Sequence, residues 1–265
     1  MRAAFNSVLE IGRQSYELAQ ALSPHELMHG TLLLLLPLYR LGRWSEMEPY
    51  LAEHRAAWAE EAERTCGSVR GGLALGALLR VHQDRPVEAR ELLDLIGPPA
   101  SFASIGDVLA MDAHVWLGEM DRAREGLQIP VRRFMTAGPL VRGVALDIHV
   151  AMGEWAALEE ALPFAREDAS WERILGPAAD RAEGLLTAHR GDSTAARELL
   201  RRAISGYDDL RIPLEAALTK ERLAALGEEP ERSQLLVDAL TTYRQLGANL
   251  HIRRLAVAQE GAVGA

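Results

Sequence analysis

Apolar residues recur along this chain at helical spacing, with polar residues between them and glycine or proline at the breaks. Met1 to Leu22 already mixes apolar and polar positions in that period. After Gly191, small and apolar residues fall at Ala196, Leu200 and Ala203, offsets of 5, 9 and 12. Ala89 and Leu93 follow Asp84 at the first two of these offsets, as Ala123 and Leu127 follow Gly118. Leu162 and Ala165 follow Gly153 at the last two, as Leu236 and Ala239 follow Gly227. Small side chains let paired helices approach closely, and the larger ones fill the space between pairs.

The pattern predicts helix pairs at 24–41 with 45–62, 68–82 with 86–96, and 103–117 with 120–134. They continue at 138–152 with 155–168, 176–190 with 193–209, and 213–226 with 231–246. Helices near 4–22 and 248–260 should cap the ends with solvated outer faces. Gly97-Pro98-Pro99, Gly138-Pro139, Gly176-Pro177 and Pro213 fall between pairs. No linker interrupts the series, so residues 1–265 are expected to form a single domain.

Within this series Met111-Asp-Ala-His-Val-Trp-Leu-Gly-Glu-Met120 matches Leu146-Asp-Ile-His-Val-Ala-Met-Gly-Glu-Trp155, 35 residues later, at Asp, His, Val, Gly and Glu. The break between paired helices recurs at Gly42, Asp84, Gly118, Gly153, Gly191 and Gly227, at intervals of 42, 34, 35, 38 and 36 residues. Glycine ends a helix cheaply because it adopts positive φ. Asp84 departs from glycine, and the first interval carries an insertion. A period near ~34 residues with one internal turn resembles the tetratricopeptide repeat, and Gly184 matches that repeat's close-packing glycine. The fold expected is all-α, a right-handed superhelical solenoid of about six such pairs.

Two segments carry a narrower resemblance: Pro37-Leu-Tyr-Arg-Leu-Gly-Arg-Trp44 followed by Glu46, and Ala239-Leu-Thr-Thr-Tyr-Arg-Gln-Leu-Gly-Ala248 continuing to Arg253 and Arg254. They are similar to the C-terminal helical-repeat region of large bacterial ATPase-linked signalling and transcriptional regulators. In those proteins an ATPase module, and often a cyclase or DNA-binding domain, precedes the repeats. This chain has no phosphate-binding glycine-rich loop ending in Lys-Ser or Lys-Thr; its one lysine is Lys220, in Thr-Lys-Glu. The resemblance therefore implies a repeat region without its effector, serving as a sensing or docking surface.

Composition agrees. Ala, Leu, Glu and Arg dominate, aromatics are 5%, and strand-forming residues are scarce. A net charge of −9 without a basic stripe argues against direct nucleic-acid binding. Thr31 to Leu38 is far shorter than the ~20 residues a membrane helix needs. One cysteine, Cys66, fits a reducing compartment and is read as inert, so a cytoplasmic protein is expected.

Chemistry-bearing patterns are few. His25-Glu-Leu-Met-His29 spells a zinc-hydrolase motif: two histidines one turn apart on a helix face, with a glutamate as base. A third ligand is missing; Leu32 stands where the extended motif has glycine, and only Glu48 or Glu53 suggests a substitute. The same residues are better explained as a helix start, Ser23-Pro24-His25-Glu26, with Ser23 as N-cap and Glu26 closing a capping box. That reading is adopted, so neither a metal nor a cofactor is expected.

Asp112/His114 and Asp147/His149 are two apart on a helix and so cannot act as pairs. The histidines are assigned to packing. Asp112 and Asp147 are assigned to a concave groove, with Arg142 and Arg181 nearby and Trp116 as its aromatic contact. Trp44, Trp58, Trp155 and Trp171 are assigned to packing, and Arg190-Gly191-Asp192 to an interhelical turn. The expected function is a non-catalytic scaffold or regulatory sensor that binds a protein or peptide partner in the groove. A small-molecule effector is the alternative, and a zinc hydrolase on His25 and His29 the enzymatic one.

Overall fold

Each interhelical break is a local device that stops one helix and aims the next. At Gly118, φ is +75°, the Glu119 amide donates to the His114 carbonyl at 2.9 Å, and α7 begins at once. Gly153 repeats this at φ +68°, with the Glu154 amide on the His149 carbonyl at 2.8 Å. Both are the left-handed helix stop that satisfies an orphan carbonyl. Gly42, Gly191 and Asp84 also adopt positive φ. Asp84 tolerates it at φ +63°, as a short polar side chain can. Gly227 differs: α12 ends at Ala225 with a right-handed C-cap, Leu226, and Gly227 is not left-handed.

The computed structural model describes residues 4–61, 66–67, 69–97, 104–127 and 138–263. Among these there are fourteen α-helices, one 3-10 turn and no strand. They are α1 (Ala4–Ala19), α2 (Pro24–Arg40), α3 (Glu48–Glu61), α4 (Arg70–His82), α5 (Pro86–Ile96), α6 (Ile105–Leu117) and α7 (Met120–Leu127). Then come α8 (Gly138–Met152), α9 (Trp155–Asp168), α10 (Leu175–His189), α11 (Ser193–Leu210), α12 (Pro213–Ala225), α13 (Glu231–Leu246) and α14 (Asn249–Val263). Pro98, Pro99 and the part of the expected 120–134 helix beyond Leu127 lie outside the described residues. Gly138-Pro139 and Gly176-Pro177 sit in the first turns of α8 and α10, where proline's missing N–H costs nothing. No described helix is long and apolar enough to cross a membrane.

The helices group into two compact units: residues 1–81 with 85–148, and residues 82–84 with 149–265. In the first, α1 packs on α2, α2 on α3, and α6 on α7. Its core is rich in leucine, with Leu34, Leu35 and Leu38 of α2 and Leu73, Leu75, Leu78 and Leu79 of α4 buried. A buried ion pair, Arg70 with Asp107 at 3.3 Å, joins α4 to the Ser104-capped start of α6. On α1, Val8, Ile11 and Leu18 are exposed.

In the second unit, α9 through α14 pack each on the next. A Cβ placed on Gly184 of α10 would lie 3.1 Å from Leu200 Cγ and 3.2 Å from the Ala196 carbonyl oxygen of α11. This is the close approach expected of that glycine. Ala196, Leu200, Ala203 and Tyr207 form the buried face of α11.

Candidate functional site

Both segments that carry the regulator resemblance are built into the helix packing. Pro37, Leu38 and Tyr39 are buried, and Trp44 stacks on Tyr39 with centroids 5.9 Å apart. Ala239, Tyr243 and Ala248 are fully buried. Tyr243 donates its hydroxyl to Glu221 at 3.0 Å, and Arg254 reaches the same carboxylate at 3.2 Å.

Three histidines are spent in the same way. His114 Nδ1 lies 2.9 Å from Glu119 Oε2, and His149 Nδ1 lies 2.9 Å from Glu154 Oε2. Each histidine is therefore held by the glutamate just past its own helix stop. Burial pushes His114 below the usual imidazole range, against the pull of Glu119. His54 is fully buried, with Nε2 2.8 Å from the Val69 carbonyl and Nδ1 2.7 Å from Thr31 Oγ1. A carbonyl only accepts, so Nε2 carries the proton. Burial drives this imidazole down to about 4.

The five residues assigned to a groove fall into two settings. Arg181 is 7% exposed; it donates to Glu215 Oε2 at 2.5 Å and lies over the Tyr207 ring, 5.4 Å from its centroid. It is packed inside the second unit. Asp112 and Trp116 on α6, and Arg142 and Asp147 on α8, are half-buried and each engaged with other residues. Of the other tryptophans, Trp44 and Trp58 are buried, Trp155 stacks on His189 at 4.4 Å, and Trp171 is 63% exposed, outside the packing role assigned to it. Gly191 has φ +90° and Asp192 caps α11 through the Ala195 amide at 3.0 Å, which makes Arg190-Gly191-Asp192 a turn.

The first unit holds an open cleft of about 510 Å³ between α3, α4 and α5. Leu51, Leu73 and Leu92 supply its apolar wall. Gly76 makes their convergence possible, because a Cβ there would lie 3.2 Å from Leu51 Cδ2 and 3.3 Å from Leu92 Cδ1. At the rim Arg80 grips Glu48 through both Nη nitrogens and lies 3.6 Å from Glu88. Arg55 and Glu91, also on the rim, are exposed and form no ion pair among the described residues. Sequence reasoning missed this cleft. Gly76 inside an apolar helix was its one visible sign.

The helix start at Ser23 is half of what was expected. Ser23 Oγ accepts from the Glu26 amide at 3.2 Å and Pro24 occupies the first turn, but the Glu26 carboxylate makes no return bond to the cap. The guessed third ligands are committed elsewhere: Glu48 to Arg80, and Glu53 to the Tyr16 hydroxyl at 2.6 Å. Burial and that carboxylate raise the Tyr16 phenol to about 12. Cys66 approaches instead, with Sγ 3.4 Å from His29 Nε2. The insertion in the Gly42–Asp84 interval, which contains Cys66, was the available signal.

Compared with known proteins, the chain matches no protein-family model, no curated protein and no solved structure.

Proposed function

We propose that this chain is a non-catalytic protein-interaction module made of tetratricopeptide-like helix pairs, and that the α3–α4–α5 cleft docks an amphipathic helix of a protein partner. The observation that carries this reading is the cleft's construction. An apolar wall of Leu51, Leu73 and Leu92 lies beside two rim charges of opposite sign, Arg55 and Glu91. A helix presenting apolar residues one turn apart would bury them on Leu51 and Leu92, with an acid facing Arg55 and a base facing Glu91. The binding of His54, His114 and His149 into packing and caps supports a non-catalytic role. The similarity of the Pro37–Trp44 and Ala239–Ala248 segments to bacterial regulators gives the proposal its setting: a docking or sensing element in signalling or transcriptional control, in the cytoplasm.

The test is site-specific photocrosslinking. A photoreactive residue at Ala59, on the cleft wall, should capture one partner through a helical segment, and one at exposed Val237 on α13 should not. Equal capture of that partner at both positions would refute the docking site.

A small-molecule effector is the second reading, because about 510 Å³ lies within the range of ligand pockets, about 300–1,000 Å³. A metabolite that raises the melting temperature in a concentration-dependent way, and loses that effect in Leu92→Arg, would favour it over the helix.

A further inference from the structure

His25 and His29 stand one helical turn apart at the start of α2, so both imidazoles leave the same face. Their rings meet edge to face with centroids 5.0 Å apart. Opposite them, from the stretch between α3 and α4, comes Cys66. One donor atom from each of the three residues lies within 4.8 Å of the other two, and all three residues are half-buried. We infer that His25, His29 and Cys66 form a three-ligand site for a zinc ion, with the fourth coordination position left to water or an exogenous ligand.

The donor set and its spacing both point there. Zinc binds imidazole nitrogen at about 2.0–2.1 Å and thiolate sulfur at about 2.3 Å, so a tetrahedral site puts nitrogen and sulfur about 3.6 Å apart. The Cys66 Sγ to His29 Nε2 separation is 3.4 Å. The other donor separations lie within 4.8 Å. Two imidazoles and a thiolate suit zinc, whereas magnesium and calcium require oxygen donors that this set lacks.

A nucleophilic thiol activated by one histidine would use His29 alone. The second histidine, with a donor atom within 4.8 Å of the other two, completes the set that an ion between the three would need. The thiolate is also the essential partner, because the N-terminus of α2 carries a partial positive charge that disfavours a bare cation. Losing Cys66 should therefore weaken binding more than losing His25.

The full chain, stripped with a chelator, is titrated with zinc chloride alone in competition with a chromophoric chelator. One equivalent should bind, and Cys66→Ser and His29→Ala should each weaken it by about 100-fold or more, beyond the about 10–100-fold that loss of a supporting partner costs. His114→Ala should leave it unchanged. Cobalt(II) in place of zinc should give thiolate-to-metal charge-transfer absorption, absent in Cys66→Ser, and zinc should slow alkylation of Cys66 in the unmutated chain. The cobalt spectrum and the alkylation rate need no variant to fold. Absence of a stoichiometric site, a cobalt spectrum without charge transfer, or zinc affinity unchanged in Cys66→Ser would each overturn the assignment.

Discussion

Arg80 of α4 holds Glu48 of α3 through both Nη nitrogens, each 2.6 Å from a carboxylate oxygen. The pair spans the rim of the α3–α4–α5 cleft, and Glu88 approaches the same guanidinium from α5 at 3.6 Å. One cation thus ties the three cleft helices together. Its Glu48 partner is 42% exposed, so solvent screens the attraction.

Arg80→Met should lower stability by about 1 kcal/mol at low ionic strength, because the bidentate geometry is good but half in water. Urea denaturation at low and high salt checks this. The difference from the unmutated chain should shrink as salt rises; a constant difference would mean that the aliphatic packing of Arg80, and not its charge, holds the helices.

His54 sets a pH dependence. Its imidazole lies at about 4 in the folded chain, against 6.5 when exposed. Between those values the unfolded chain binds more protons, so stability is fully present above pH 6.5 and is lost as pH falls towards 4. From pH 7 to pH 5 this one group removes about 2 kcal/mol. His29 and His114 are also lowered and act with the same sign, so the comparison must be between the unmutated chain and His54→Gln. Urea midpoints at the two pH values, in the presence of a chelator, should show a markedly smaller drop for His54→Gln. Equal drops would assign the effect to the other histidines.

Arg181 distinguishes packing from recognition. It is 7% exposed and pairs with Glu215, whose side chain is 16% exposed. Arg181→Ala should cost about 3 kcal/mol by leaving the Glu215 carboxylate partly buried without its cation. Arg181→Met keeps the aliphatic fill over Tyr207 and should cost less. Thermal unfolding of both variants measures the order, and near-native stability of Arg181→Ala would return this arginine to a recognition role.

The helices were legible because their signals are local. A 3.6-residue period and a left-handed stop lie within a few residues of one another, so α5, α8, α9 and α13 begin and end where the pattern placed them. The His114–Glu119 and His149–Glu154 pairs explain why those letters recur 35 residues apart: each histidine and glutamate brackets its own turn. Gly227 failed as a marker because a glycine after a helix permits positive φ without requiring it.

The sites were harder to read. Periodicity says which face of α4 is apolar, but not that Gly76 lets Leu51 and Leu92 converge from helices on either side. Only the long Gly42–Asp84 interval pointed to Cys66, and nothing local tied it to His29, 37 positions away. Arg181 looked like a solvated groove charge until Glu215 and Tyr207, from the next helices, enclosed it.

The docking cleft is the central claim, and one binding measurement addresses it directly. The partner segment captured at Ala59 is made as a synthetic helix and titrated against the unmutated chain, Leu92→Arg, and the Asp112→Ala/Asp147→Ala double variant. Leu92→Arg should weaken binding about 30-fold or more, the loss of about 2 kcal/mol expected at a central apolar anchor, and the double variant should bind normally. Undiminished binding to Leu92→Arg together with loss in the double variant would contradict the account and move the docking surface to α6 and α8.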